Sequence, residues 1–384
     1  MTQRSRIIGV ASSLLLLTVV LSACGGALPA QQWPGLTVAG GTVYVISGSP
    51  QQVYLLDAET GVQKGVYMPQ GQHKGLVYWS PVTVSDDDLA KSTSEGPLAF
   101  VGFSEPQAKI YGLFAFDATT GLEQWSIPAQ DLILAAPVYS KGVVYYGSSD
   151  GQVYAIDVKT RMVKTGWPFR AKEAIWGAPL VADSQVYVAS MDHHVYCLDA
   201  ETGKLVWDFE AKGAMAVQPV LDAARGVLYV GDFDARVYAI EASSGKAVSG
   251  FDFRADNWIW SEALLAGDRL YVSSLDGNLY ALDPANGAVV SPYPFDAGNP
   301  LRAAPAQSGE VILAASEAGK LTAVNTTNAQ PKWQWPSGVP TAAIYTTPVV
   351  VDGTVYVVLM NGQVVALQAD NGVQRWTFTP PQIG

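Results

Sequence analysis

The chain has 384 residues, of which 49% are hydrophobic and only 15% charged, and it carries a formal net charge of −11. That balance excludes a disordered chain or a coiled coil and argues for a well-buried, β-rich globule. The acidic surplus repels phosphate backbones, which excludes nucleic acid as a partner.

Residues 1–23 read as an export signal: Arg4 and Arg6, an apolar run from Ile7 to Leu21, then small residues. The run is short for a membrane span. Leu21, Ser22, Ala23 and Cys24 resemble a bacterial lipobox, so lipidation is expected at Cys24, with residues 24–32 as a lipidated tether and residues 33–384 as one folded body. Acyl chains hold a protein at a bilayer at about 0.8 kcal/mol per buried methylene. The membrane is then met through the lipid anchor only. Cleavage removes Arg4 and Arg6 but no acid, leaving 21 basic against 34 acidic residues, a net of −13. With Cys24 lipidated, Cys197 is the one cysteine left, so an internal disulfide is excluded. Cys197 stands where neighbouring copies of a repeat have Ala155, Ala239 and Ala281, which predicts a small buried thiol.

That repeat runs through the rest of the chain. VYLLDAETG (53–61), LFAFDATTG (113–121), VYAIDVKTR (153–161), VYCLDAETG (195–203), VYAIEASSG (237–245) and LYALDPANG (279–287) are followed by weaker copies at 321–329 and 364–372, eight in all. The acidic or amide position falls at Asp57, Asp117, Asp157, Asp199, Glu241, Asp283, Asn325 and Gln368. Beyond a long first interval the period is near 42 residues, the length of a four-stranded propeller blade. The leading Asp can cap backbone amides and the closing Gly tolerates positive φ, so the motif is hairpin punctuation rather than chemistry. Trp125, Trp207, Trp333 and Trp376 follow the turns, and GWPF (166–169), GFDF (250–253) and PYPF (292–295) replace them in three copies. Both classes are expected to pack one blade on the next.

Three residues ahead of each unit's Pro, or its equivalent, stand Trp33, Tyr78, Leu134, Trp176, Ala216, Trp260, Arg302 and Tyr345. In a propeller these loops surround one mouth of the channel, so the eight positions form a candidate partner-binding ring, with a structural plug as the competing reading. Residues 82–97 lengthen the first loop of the second unit, accounting for the long interval, and are expected to project from the opposite face; Asp86, Asp87 and Asp88 there read as a solvated loop. Asp192, His193 and His194 occupy a turn position where other copies read SDGQVY and LDGNLY, so they read as a surface turn and no metal site is assigned. The remaining histidine is His73, and no G-x-S-x-G, H-E-x-x-H or phosphate loop is present, so no catalytic residue is assigned.

The pattern A-x-D-x-x-[ST]-G-x-x-x-W, preceded by P-x-[VIL] and V-Y-V strands, resembles the pyrroloquinoline quinone (PQQ)-like repeat family over Trp33 to Phe378. The resemblance implies an all-β, eight-bladed β-propeller of four-stranded antiparallel blades. In size and lipobox the chain is similar to the BamB-type lipoproteins of outer-membrane barrel assembly. The resemblance implies a non-enzymatic scaffold, without cofactor, that binds protein partners in the cell envelope as a monomer. It would sit on the periplasmic face of an outer membrane where the host has one, and otherwise on the outer face of the plasma membrane. A glycan receptor, with saccharides stacked on Trp176, Trp260 and Tyr345, is the alternative. A PQQ-dependent dehydrogenase is disfavoured, because the vicinal cysteines of those enzymes cannot be formed here.

Overall fold

The computed structural model describes residues 35–48, 51–67, 69, 75–85, 96–340 and 342–381. Cys24, the signal and tether, Trp33, His73 and Asp86 to Asp88 lie outside the described residues. The described chain is all-β: eight antiparallel sheets succeed one another at 36–66, 77–129, 138–170, 180–210, 220–254, 264–296, 306–335 and 349–378. Each is a meander of four strand positions. In blade 2 the first strand is split into Val77–Tyr78 and Thr83–Val84, and in blade 3 the fourth is split into Met162–Val163 and Phe169–Arg170.

A single blade cannot bury both faces of its second and third strands, whose central residues are apolar and buried on both faces, as in Thr42–Ser47 and Gln52–Asp57. The solution is radial. Eight hydrophobic cores form, one at each seam between consecutive blades, and the eighth joins blade 8 to blade 1 through Tyr356, Val358, Val364 and Ala366 against Val43, Val45, Tyr54 and Leu56. Among the described residues the ring closes without exchange of strands between blades. Cys197, fully buried in the seam between blades 4 and 5, fills its alanine slot as expected.

The repeat motif builds these seams. In blades 1, 2, 4, 7 and 8 a bulge interrupts the pairing of third and fourth strands just before the aromatic position, as at Cys197/Leu198, where Val206 is the extra residue. A bulge re-aims the next side chain, and Trp207 turns onto blade 5. Its indole N–H donates to the Ala242 carbonyl at 2.9 Å; Trp333 does the same to Ala369 at 3.1 Å and Trp376 to Ala58 at 3.1 Å. Tyrosines of the second strand serve the same carbonyl position from Tyr44 to Ala118 and from Tyr229 to Pro284, both at 2.7 Å. The glycine that closes each turn has a second duty here. Gly61, Gly245 and Gly372 lie at φ near +70° against the faces of Trp376, Trp207 and Trp333. Where GWPF, GFDF or PYPF stands, the fourth strand is interrupted, and Trp167, Phe251 and Tyr293 take the place against the second-strand tyrosines Tyr145, Tyr229 and Tyr271.

One expectation needs correction. The long first interval is not owed to residues 82–97 alone. Blade 2 also has a longer hairpin between its second and third strands, Leu98–Glu105 and Ile110–Asp117, so that residues 103–112 stand where blade 3 has residues 148–152. This finger rises on the side of the lead-in loops and carries an exposed Ile110. The bases of the other insertion, Ser85 and Pro97, lie at the opposite end of the blade, beside the Asp117 turn.

A channel-mouth rim as candidate functional site

The innermost strands neighbour one another around the axis, so the loops that lead into them converge on one mouth. Each loop is fixed twice. Its buried apolar residue donates its amide to the preceding blade, as Ile175 does to the Ser148 carbonyl at 3.1 Å and Leu301 to Ser274 at 3.1 Å. That side chain then seats on a small residue of the same blade: a Cβ on Gly147 would stand 2.3 Å from Ile175 Cγ2, and one on Gly231 2.3 Å from Ile259 Cγ2. The next blade holds the loop from the other side, where the second residue of the turn between its second and third strands donates to the loop: Met191 to Ala174, Phe233 to Ala214 and Leu275 to Trp258, all at 3.0 Å. Rim side chains therefore stand on backbone that is pinned to two blades.

Three of the sequence-predicted ring residues come together. The Arg302 guanidinium lies 4.6 Å from the Trp260 ring centroid and 5.2 Å from that of Tyr345, and its Nε donates to Glu317 Oε1 at 2.7 Å. Blades 6, 7 and 8 thus meet at one cation between two rings. Trp176, Leu134 and Ala216 are half-buried in the corresponding loops of blades 4, 3 and 5. Tyr78 departs from the pattern: it is 2% exposed and packs edge-on to Tyr67 in the core between blades 1 and 2, because the split first strand of blade 2 turns it inward.

Sequence reasoning on ring positions alone missed half of the cluster. Phe233 lies 5.1 Å from Trp258 and 5.0 Å from Trp260, nearly parallel to both, while the two indoles are 6.4 Å apart. A sandwich would hold the indoles farther apart, so Phe233 overlaps the seam between two side-by-side indoles. The result is a half-exposed aromatic tile continued by Arg302 and Tyr345. The missing signal was the second turn residue, Ser149, Met191, Phe233, Leu275, Glu317 and Met360 in successive copies, which varies while its neighbours repeat.

The His turn is committed to structure. Asp192 accepts from the amides of His194 at 3.0 Å and Lys172 at 2.8 Å and from Tyr196 Oη at 2.8 Å, and His194 Nδ1 is 3.0 Å from Asp208. His193 has φ of +73° where Gly151 and Gly277 occupy the equivalent turns. Among the described residues no three His, Cys, Asp or Glu side chains converge as a metal site. Burial pushes the Cys197 thiol up to about 12.

A protein-family profile described as "Outer membrane protein assembly factor BamB" matches residues 83–164, 113–249 and 233–379. No curated protein matches the chain. Among solved structures, BamB from Moraxella catarrhalis is similar at 18% identity and a TM-score of 0.68, over 88% of this chain and 94% of that one. The computationally designed Ika8 protein is similar at 15% identity and 0.68, over 88% and 96%. A europium-containing methanol dehydrogenase is similar at 14% identity and 0.64, over 86% and 81%. At these identities the likeness to solved structures is one of fold.

Proposed function

The chain belongs to the family described as outer membrane protein assembly factor BamB, and from that premise we propose that it is a non-enzymatic, lipid-anchored scaffold of the cell envelope whose channel-mouth rim docks a protein partner in barrel assembly. The observation that carries the reading is the tile of Phe233, Trp258, Trp260, Arg302 and Tyr345. Half-exposed aromatics with an arginine are the composition of protein-binding hot spots. Pinning each loop to two blades means that little ordering entropy is lost when a partner arrives. Lipidation at Cys24 would hold the propeller at the membrane, and the acidic mature surface would keep it off anionic head groups.

The test is crosslinking in native membranes with identification of the captured protein. Replacing Trp260 and Arg302 together by alanine should weaken capture by about thirtyfold or more, the effect of a hot spot worth about 2 kcal/mol, with little change in melting temperature. Unchanged capture, or collapse of the fold, refutes the docking role and makes the tile a structural plug.

A further inference from the structure

The rim positions of blades 6, 7 and 8 form a row around the axis rather than three separate contacts. Phe233 lies 5.0 Å from the Trp260 ring and 14° from parallel to it, the Arg302 guanidinium follows at 4.6 Å, and the Tyr345 ring follows that at 5.2 Å. Each step carries one planar group onto the next blade. Strand register says where the row goes after Tyr345. In these blades the rim residue stands four places ahead of the residue that pairs with the middle of the second strand: Trp260 ahead of Leu264, paired with Tyr271; Arg302 ahead of Ala306, paired with Leu313; and Tyr345 ahead of Val349, paired with Tyr356. In blade 1 Thr37 pairs with Tyr44, and four places ahead of it stands Trp33. The step from blade 8 to blade 1 is built like the others, since Leu36 and Val38 share a core with Val349 and Val351.

The chain enters blade 1 at Gly35. Its carbonyl accepts from the Ile46 amide at 3.0 Å, and a Cβ on it would stand 2.7 Å from Pro81 Cα, so the entry is clamped between blades 1 and 2. Two residues extend at most about 7 Å from that clamp, which keeps position 33 at the mouth. Residues 24–34 carry no charge, and the row asks for none, because Arg302 is already bonded to Glu317. A neutral indole just ahead of a proline suits such a row: the ring can join by offset stacking, and the following Pro34 already restricts the backbone that must be ordered.

We propose that Trp33 is the rim's own occupant: it stacks on Tyr345, covers the blade 8 end of the docking surface and is displaced when the partner binds. The inference rests on the rim being the docking surface and adds that this surface is guarded from within the chain. A group held so close competes at an effective concentration on the order of millimolar, and partner affinity falls with the fraction of chains whose rim is covered. In native membranes, the full chain with Trp33 exchanged for benzoylphenylalanine should crosslink on irradiation within itself, to the peptide carrying Tyr345 or the one carrying Arg302, as read by mass spectrometry. Trp33→Ala should raise crosslinked capture of the partner about threefold or more, and Trp33→Phe, which keeps a ring, should leave capture at the parental level. Absence of crosslinks to these two peptides, or capture that is unchanged or reduced in Trp33→Ala, would overturn the proposal, a reduction making Trp33 part of the docking surface itself. The two readings fail separately. Loss of capture in the Trp260/Arg302 double variant with no gain in Trp33→Ala refutes self-occupancy and spares the rim, whereas retention in the double variant refutes the rim.

Discussion

Replacing Gly245 by alanine puts the seam between blades 4 and 5 under a defined load. The new Cβ would stand 2.7 Å from Trp207 Cδ2 and Cε3 and 2.9 Å from Cγ, inside any real carbon contact. The indole has nowhere to retreat, since its N–H is tied to the Ala242 carbonyl at 2.9 Å and the ring is 9% exposed. The substitution also places a side chain at φ of +72°. Gly267 supplies the control: it lies at φ of +61° with nothing within 4 Å of its would-be Cβ. Both variants bear the left-handed backbone cost, about 1 kcal/mol, but only Gly245→Ala adds overpacking, about 1–3 kcal/mol more. Urea unfolding followed by tryptophan fluorescence and circular dichroism should therefore show Gly245→Ala the less stable by that margin, with an unchanged m-value. Losses equal within about 0.5 kcal/mol would refute the claim that the glycine is demanded by the indole as well as by the turn.

His193→Gly should stabilise the chain by about 1 kcal/mol, read as a higher urea midpoint, because it relieves a left-handed backbone in a turn that uses glycine elsewhere; a lower midpoint would mean that the imidazole makes a compensating contact. Glu262 holds its proton more tightly folded than unfolded, so its contribution is intact below the ordinary value of 4.5 and is lost as pH rises through the folded value. The melting temperature of Glu262→Gln relative to the parent should therefore climb from pH 4 toward pH 7.5, and a difference that is flat or grows toward acid pH contradicts the assignment. Cys197, fully buried with its thiol raised to about 12, should resist iodoacetamide at pH 8 in the native protein and react in urea; rapid native labelling would show that the seam between blades 4 and 5 opens.

Blade number and seam chemistry were legible in the sequence because they are local. The Asp57 turn is written within five residues, with Thr60 N and Oγ1 both bonded to Asp57 Oδ1, and the Asp157 and Asp199 turns repeat both bonds. The rim was legible only in part. Register alone placed Trp260, Arg302 and Tyr345 on adjacent blades, and they meet. Phe233 joins them from a different turn, at a position whose variability resembles any solvated loop until three dimensions set it over two indoles. Tyr78 failed for the opposite reason: the irregular first strand of blade 2 breaks the register from which its place was inferred.

The junction from blade 8 to blade 1 uses the same parts as any other: Trp376 on Ala58 and Gly61 repeats Trp207 on Ala242 and Gly245. Because no strand is shared across it among the described residues, the wheel has no clasp peculiar to the junction where the chain's ends meet. Tension across the joint from blade 8 to blade 1 meets the same indole latch as the joints from blade 4 to 5 and from blade 7 to 8, so such a wheel can be rewired to begin at a different spoke without inventing a new fastening.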